Sequence, residues 1–268
     1  MLKIKLNERL VETDAKTLFA LRDRVKPGAD VVILNGAAMN ADAPLADGDA
    51  VCFIKRGEAP SADELEALMA SRHTPGVHAK VKAATVGIAG LGGLGSAIAI
   101  ALARVGIGRL ILADFDVVEP SNLNRQQYFV DQIGLLKTDA LVANLRKINP
   151  YVVVESHAVK LTPDNILPMF GNVDVMIEAF DRADQKAMLM QAFTAQKPDV
   201  PFIGASGLAG FGPEETIGVK KMGRSIYIVG DLKTGARPGC GLMAPRVGIA
   251  AHMQANLALR LIVEKGES

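Results

Sequence analysis

The stretch Val86-Gly-Ile-Ala-Gly-Leu-Gly-Gly-Leu-Gly95 constrains this chain more than any other. An apolar run opens into Gly90, Gly92, Gly93 and Gly95, and an Ala/Ile-rich segment follows from Ser96 to Val105. The order reads as strand, tight turn, helix. Glycines at this spacing let the backbone turn sharply and approach a ligand, while the following helix aims unpaired N–H groups and a partial positive charge at an anion. A nucleotide phosphate is the natural occupant. The plainer alternative is a glycine-rich turn that only packs strand against helix, and the residues downstream decide between the two.

Arg109-Leu-Ile-Leu-Ala113 supplies a second strand, the opening of a doubly wound, mostly parallel, Rossmann-like α/β sheet. Asp114 closes that strand 19 residues after Gly95, the distance at which an acidic residue reaches a ribose hydroxyl; a strand-end aspartate that caps a turn is the alternative. Past this point an NAD-dependent oxidoreductase becomes the weaker reading. Asn122, Arg125, Gln126 and, 12 residues after Arg125, Lys137 suit a triphosphate. Arg offers planar forked donors and Lys a point charge, which together offset the charge that develops when pyrophosphate leaves. Singly, each reads as a surface charge.

Length and charge narrow the field. A chain of 268 residues accommodates one large α/β domain with a small appendage, and chains near 300 residues bury about 75% of their unfolded surface. The net charge of +1 and 49% hydrophobic content favour neither bulk nucleic-acid binding nor disorder. No uncharged apolar run reaches the roughly 18 residues of a membrane span and no signal peptide is evident, which predicts a soluble cytoplasmic protein. Cys52, Cys240 and the four histidines, without a Cys-x-x-Cys pair, predict no structural zinc.

Residues 1–57 form a unit of their own. Leu2–Leu6 alternates, Asn7-Glu8 turns, Leu10-Val11 returns, Leu18, Leu21 and Val25 share a helical face, and strands follow at Val31–Leu34 and Ala50–Ile54, with Cys52 read as a core cysteine. This ββαββ order and the closing stretch Leu45–Lys55 resemble a ubiquitin-like β-grasp sulfur carrier of the thiamine-biosynthesis type. A working carrier of that family ends in a free Gly-Gly carboxylate, whereas here Arg56-Gly57-Glu58 continues into more chain. The resemblance therefore implies a docking, dimerising or stabilising module. Residues 58–82 read as a linker helix with Ser61 as N-cap, Glu64 three positions on, and an apolar stripe of Leu65, Leu68 and Met69. Residues 83–268 are expected to form the nucleotide-binding domain.

The segment from Gly90 to Lys137, together with Ile148-Asn-Pro150, Val175-Met-Ile-Glu-Ala-Phe-Asp181 and Gly241-Leu-Met-Ala-Pro245, closely resembles the ThiF/MoeB-type adenylation domain, related to ubiquitin-activating enzymes. The likeness covers most of residues 70–264. It implies that Gly90 to Gly95 hold ATP phosphates, Asp114 holds ribose, and Asn122, Arg125, Gln126 and Lys137 surround the triphosphate. It further implies that Asp181 holds Mg2+. Asp181 ends the apolar run Val173 to Ala179 and so projects from the carboxyl edge of a parallel strand, with a role capping the helix Ala183 to Phe193 as the alternative. Arg72, in a Ser-Arg-His context, matches an arginine that reaches the phosphates of the other subunit, which implies a homodimer. The implied activity is adenylylation of the Gly-Gly carboxylate of a separate sulfur carrier, in thiamine or molybdopterin biosynthesis. A non-catalytic module whose carrier groove is filled by residues 1–57 is the alternative.

The remaining stretches read as scaffold: a helix over Asp139–Ile148, strands at Tyr151–Glu155 and Val200–Ser206, an antiparallel strand at Ser225–Gly230 beside a solvated edge of Lys220, Lys221 and Arg224, and a helix from about Ala244 to Val263. Cys240 lies in the loop before that last helix, but out of register with the cysteine that related enzymes use covalently. It is read as a small loop residue, with a nucleophilic role as the alternative.

Overall fold

The structure is a computed structural model that describes residues 1–266; Glu267 and Ser268, with which the expected nucleotide-binding domain ends, lie outside the described residues. The chain divides into two compact units, Met1–Pro75 and Gly76–Ser268.

The first unit comprises β1 (Leu2–Leu6), β2 (Arg9–Thr13), α1 (Leu18–Val25), β3 (Val31–Leu34), β4 (Ala37–Ala38), β5 (Ala50–Ile54) and α2 (Ala62–Ala70). Its sheet runs β2-β1-β5-β3-β4, with β1 parallel to β5 and the other neighbours antiparallel. Asn7 and Glu8 adopt φ of 45° and 67°, the left-handed pair that closes a tight hairpin with the twist of its strands. Alternation along the strands buries Ile4, Val32, Val51 and Phe53 against Leu18 and Leu21 of α1, which is the β-grasp arrangement.

Two details depart from expectation. Val25 is 45% exposed, because it closes the final turn of an eight-residue helix that ends at Lys26. Cys52 is half-buried, since Val51 and Phe53 on either side of it take the core face; burial, with Glu64 and Glu8 nearby, pushes its thiol pKa up.

After β5 the backbone turns at Gly57, with φ of 78°. Ser61 then caps α2 by accepting the Glu64 N–H at 3.2 Å. None of the α2 side chains is buried. Polar contacts seat it instead: the Glu64 carboxylate accepts from Asn7 Nδ2 at 2.6 Å and from Lys26 Nζ at 3.3 Å.

The second unit holds α3 (Val77–Ala83), β6 (Thr85–Ala89), α4 (Gly93–Arg104), β7 (Arg109–Ala113), α5 (Lys137–Ile148), β8 (Val153–His157), α6 (Pro163–Phe170), β9 (Val175–Glu178), α7 (Ala183–Gln196), β10 (Phe202–Ala205), β11 (Gly218–Met222), β12 (Ile226–Gly230) and α8 (Ala244–Val263). The sheet order is β11-β12-β10-β9-β6-β7-β8, with every pairing parallel except β11–β12. The strand expected at Ser225–Gly230 is thus antiparallel to β11, as expected, and parallel to β10 on its other side. β11 supplies the exposed edge, where Lys220 and Lys221 meet solvent.

Central strands buried on both faces read as continuous apolar runs rather than alternating ones, as β6 and β9 do. One face of the sheet packs α4, α5 and α8, and the other packs α6 and α7. Helices α4 and α8 pack against each other in one core that buries the small Ala97, Ala103, Ala251 and Ala258 together with the larger Ile98 and Leu102. Full burial of each such large side chain is worth roughly 1.5–3 kcal/mol.

From β6 the chain proceeds through β7 to β8, then crosses back to place β9 on the other side of β6. Such a reversal leaves a crevice at the carboxyl ends of the strands.

Candidate functional site

A cavity of about 550 Å³ occupies that crevice, and the motif residues converge on it. Gly90, Gly92 and Gly93 form one wall at the amino end of α4. The turn is enforced by sterics: Gly90 has φ of +90°, and a side chain at Gly95 would place its Cβ 1.9 Å from the Gly90 carbonyl oxygen. Gly95 itself is buried in α4 and does not line the cavity; it lets the loop close over the helix.

Asp114, at the end of β7, lines the cavity and ties the loop to the sheet. Its Oδ2 accepts the Leu91 N–H at 2.6 Å and its Oδ1 accepts the Asp116 N–H at 2.8 Å. A carboxylate has about four acceptor positions, so two remain for ligand hydroxyls. Burial raises the Asp114 pKa, with Lys137 opposing it. Lys137, at the start of α5, is buried and donates to Asp116 Oδ2 at 2.8 Å.

The loop after β7 carries Arg125 and Gln126 to the same cavity. Asn122 organises it from behind. Its Oδ1 accepts the Glu119 N–H at 3.1 Å, and its carbonyl accepts the N–H groups of Arg125 and Gln126 at 3.1 and 2.9 Å, but its side chain stays out of the cavity. The buried Gln126 Oε1 has no hydrogen-bond partner among the described residues, an acceptor left open beside the glycine loop. Tyr128 pins the loop from below: its hydroxyl donates to the Leu91 carbonyl at 2.8 Å, and burial raises its pKa.

Asp181, three residues past β9, is exposed to the cavity. The N-cap position of α7 belongs to Arg182, which makes no side-chain cap bond. Arg72 stands in the first unit, with its side chain 85% exposed and 4.0 Å from Glu8 Oε1. Cys240 sits in a tight turn with Arg237, the two exchanging backbone hydrogen bonds of 3.0 and 2.8 Å, and does not line the cavity.

Sequence reasoning missed two groups. Glu178, at the end of β9, is buried with a lysine: its Oε1 accepts from Lys186 Nζ at 2.8 Å and from the Phe180 N–H at 2.6 Å. The only sequence signal was a lone acid inside an apolar strand. The second group is Arg246 of α8, which donates to Asp231 at 2.8 Å, to the Gly212 and Pro213 carbonyls at 2.8 and 3.2 Å and to Thr216 at 3.1 Å. It fastens two loops, around residues 206–217 and 231–242, that supply Ser206, Gly207, Gly235 and Leu242 to the cavity wall. These contacts join residues 15 to 34 apart in sequence, with no local motif to announce them.

The ThiF family model matches residues 66–268, and the ThiS-like ubiquitin model matches residues 2–57. The chain belongs to the ThiF family. This ThiF-family chain is 31% identical over 203 residues to the adenylyltransferase and sulfurtransferase uba4 of Emericella nidulans, covering 70% of this chain and 42% of that protein. It is 48% identical over 83 residues to ubiquitin-like modifier-activating enzyme 5 of Arabidopsis thaliana, covering 31% and 19%. It spans less than half the length of these curated relatives. Among solved structures, E. coli tRNA N6-threonylcarbamoyladenosine dehydratase, TcdA, in complex with ATP superposes with a TM-score of 0.69 at 23% identity, covering 78% of this chain and 99% of that one. The Rossmann-like fold is thereby shared. Among the described residues no helix is long and apolar enough to cross a membrane.

Proposed function

We propose that this chain is an ATP-dependent adenylyltransferase that activates the carboxy-terminal Gly-Gly of a separate ubiquitin-like sulfur-carrier protein in the cytoplasm. The convergence of the glycine loop, Arg125, Gln126, Lys137 and Asp181 on one cavity carries this reading. Family membership, the adenylyltransferase relatives and an ATP complex of the same fold support it. The fused module is not the substrate, because its last strand leads through the Gly57 turn into α2 and presents no free carboxylate.

In the reaction, an oxygen of the carrier carboxylate forms a bond to the α-phosphorus, the bond from that phosphorus to the bridging oxygen breaks, and its electron pair leaves with pyrophosphate. Arg125 and Lys137 meet the charge that accumulates on the leaving oxygens, and the loop N–H groups fix the phosphates before it develops. Asp114 orients the ribose. Among the described residues no three His, Cys, Asp or Glu side chains cluster as a metal cage. A single exposed carboxylate at Asp181 fits Mg2+, which is bound through one or two carboxylates plus substrate phosphates. When bound, the ion supplies charge neutralisation at those phosphates.

Arg72 is proposed to complete the site of a second copy in a homodimer. The ThiS-like module makes a thiamine-pathway carrier the first to test, and a molybdopterin-type carrier the second. Exchange of labelled pyrophosphate into ATP, dependent on a Gly-Gly-tailed carrier, is the expected result. Absence of exchange with every such carrier of the source cell contradicts the reading.

A further inference from the structure

Glu178 and Lys186 form a part-buried ion pair at the cavity that the reaction as described does not use. The Glu178 side chain is 3% exposed and that of Lys186 25%. Beyond its bonds to Lys186 and Phe180, the carboxylate accepts the Ala205 N–H through Oε2 at 3.4 Å, so it sits between the ends of β9 and β10. Gly204 makes the room, since a Cβ there would lie 3.2 Å from Oε2. A pair this deep is a weak contributor to stability, because desolvation offsets most of its attraction. Its geometry has another consequence: it holds one charged nitrogen at a fixed point on the cavity wall.

That point is informative. In the order β10-β9-β6-β7, Asp114 ends β7, the glycine loop follows β6, and the Glu178–Lys186 pair lies on the far side, beside the small wall of Ala205, Ser206 and Gly207. Ribose and phosphates claim the β7 and β6 positions, which already have Arg125 and Lys137. A second substrate has the β9–β10 side. Lys186 has three N–H donors and, among the described residues, gives one to Glu178.

We propose that Lys186, positioned by Glu178, binds the carboxylate of the acyl substrate and so sets the enzyme's affinity for the carrier tail. This inference rests on the adenylyltransferase reading and deepens it. The Nζ donates to one carboxylate oxygen and leaves the other free to attack the α-phosphorus. No proton is transferred in this step. After pyrophosphate departs, the oxygen it holds is the carbonyl oxygen of the acyl-adenylate.

The test is pyrophosphate exchange with the Gly-Gly-tailed carrier that the wild-type chain activates, alongside calorimetric titration with ATP alone. Lys186→Met is expected to raise KM for the carrier about tenfold or more, the loss typical of a hydrogen bond to a charged group. The ATP affinity should stay within about twofold and kcat within about threefold, the pattern of lost ground-state binding. Lys186→Arg should recover most of the affinity. The double variant Glu178→Gln/Lys186→Met guards against misfolding by leaving no unpaired buried charge, and should show the same split. Equal weakening of ATP and carrier would make Lys186 a phosphate ligand and overturn the inference, as would an unchanged carrier KM. Failure of the wild type with every carrier takes down the adenylyltransferase reading itself, and is recognised because the defect is there before any substitution.

Discussion

The two sides of the cavity are built in different ways. On the β6–β7 side, the glycine loop, Asp114, Arg125, Gln126 and Lys137 come from one continuous run of chain, and its supports are hydrogen bonds to backbone groups: Asn122 to the Glu119 N–H, Asp114 to the Leu91 N–H, Tyr128 to the Leu91 carbonyl. On the β9–β10–β12 side, the wall is assembled from separate segments, and two charged pairs, Glu178–Lys186 and Asp231–Arg246, hold them together. The first side is preorganised by backbone geometry, and Lys137 faces the cavity although it is paired with the half-exposed Asp116. The second side uses charge as scaffold.

Removing a charge should therefore cost activity alone on the first side, whereas on the second it should cost stability at Arg246 and carrier affinity at Lys186. Arg246→Ala strands the Asp231 carboxylate in a site where its side chain is 9% exposed, and is expected to cost about 3–5 kcal/mol of stability, read as a large drop in the thermal midpoint. A change below 1 kcal/mol would erase the contrast. On the other side, Arg125→Ala and Asp181→Ala should each reduce carrier-dependent exchange by about 10²–10³ while stability stays within about 0.5 kcal/mol of wild type. Retained turnover in both would mean that the phosphate side is misassigned. Tyr128→Phe removes one neutral hydrogen bond beneath the loop, and a loss of about 1 kcal/mol in chemical denaturation is expected.

The acid limb of stability sharpens the comparison further. Burial alone would raise the Asp231 pKa, but the Thr234 hydroxyl, the N–H groups of Thr234 and Lys233, and Arg246 together hold it down to about 2, against an ordinary 3.8. A depressed carboxylate contributes stability that is present above the unfolded value and lost as pH falls through the folded one. Stability should thus decline between roughly pH 4 and 2, and Asp231→Asn should flatten that decline. An acid limb of the same slope in the variant would show that Asp231 is not the group responsible.

The same division governs what the sequence alone made legible. The glycine loop, Asp114, Arg125 and Lys137 could be read because turn chemistry, strand ends and charge spacing are local properties. Gly95 and Asn122 were also picked out, and the structure shows why they accompany the others: one lets the loop close on α4, the other shapes the turn that carries Arg125. Lys186 lies in the first turn of α7 and Arg246 in the first turn of α8, positions where a basic residue carries no motif of its own. Lys186 meets Glu178 across the connection from β9 into α7, 8 residues apart, and Arg246 meets Asp231 15 residues away across the loop before α8; neither pair lies within one helix or strand, where a period would relate its members. The β-grasp order was legible strand by strand, whereas the seating of α2 by Asn7 and Lys26 depends on two polar contacts 57 and 38 residues apart.

The central claim is that this cavity joins AMP to a carrier carboxylate. Intact-mass spectrometry of a Gly-Gly-tailed carrier, incubated with the wild-type chain, ATP and Mg2+, measures that directly. One AMP added per carrier, abolished when the carrier's last two glycines are removed and absent with Arg125→Ala, is the predicted result. A carrier that keeps its mass while the chain binds ATP would contradict the account and leave a nucleotide-binding module in its place.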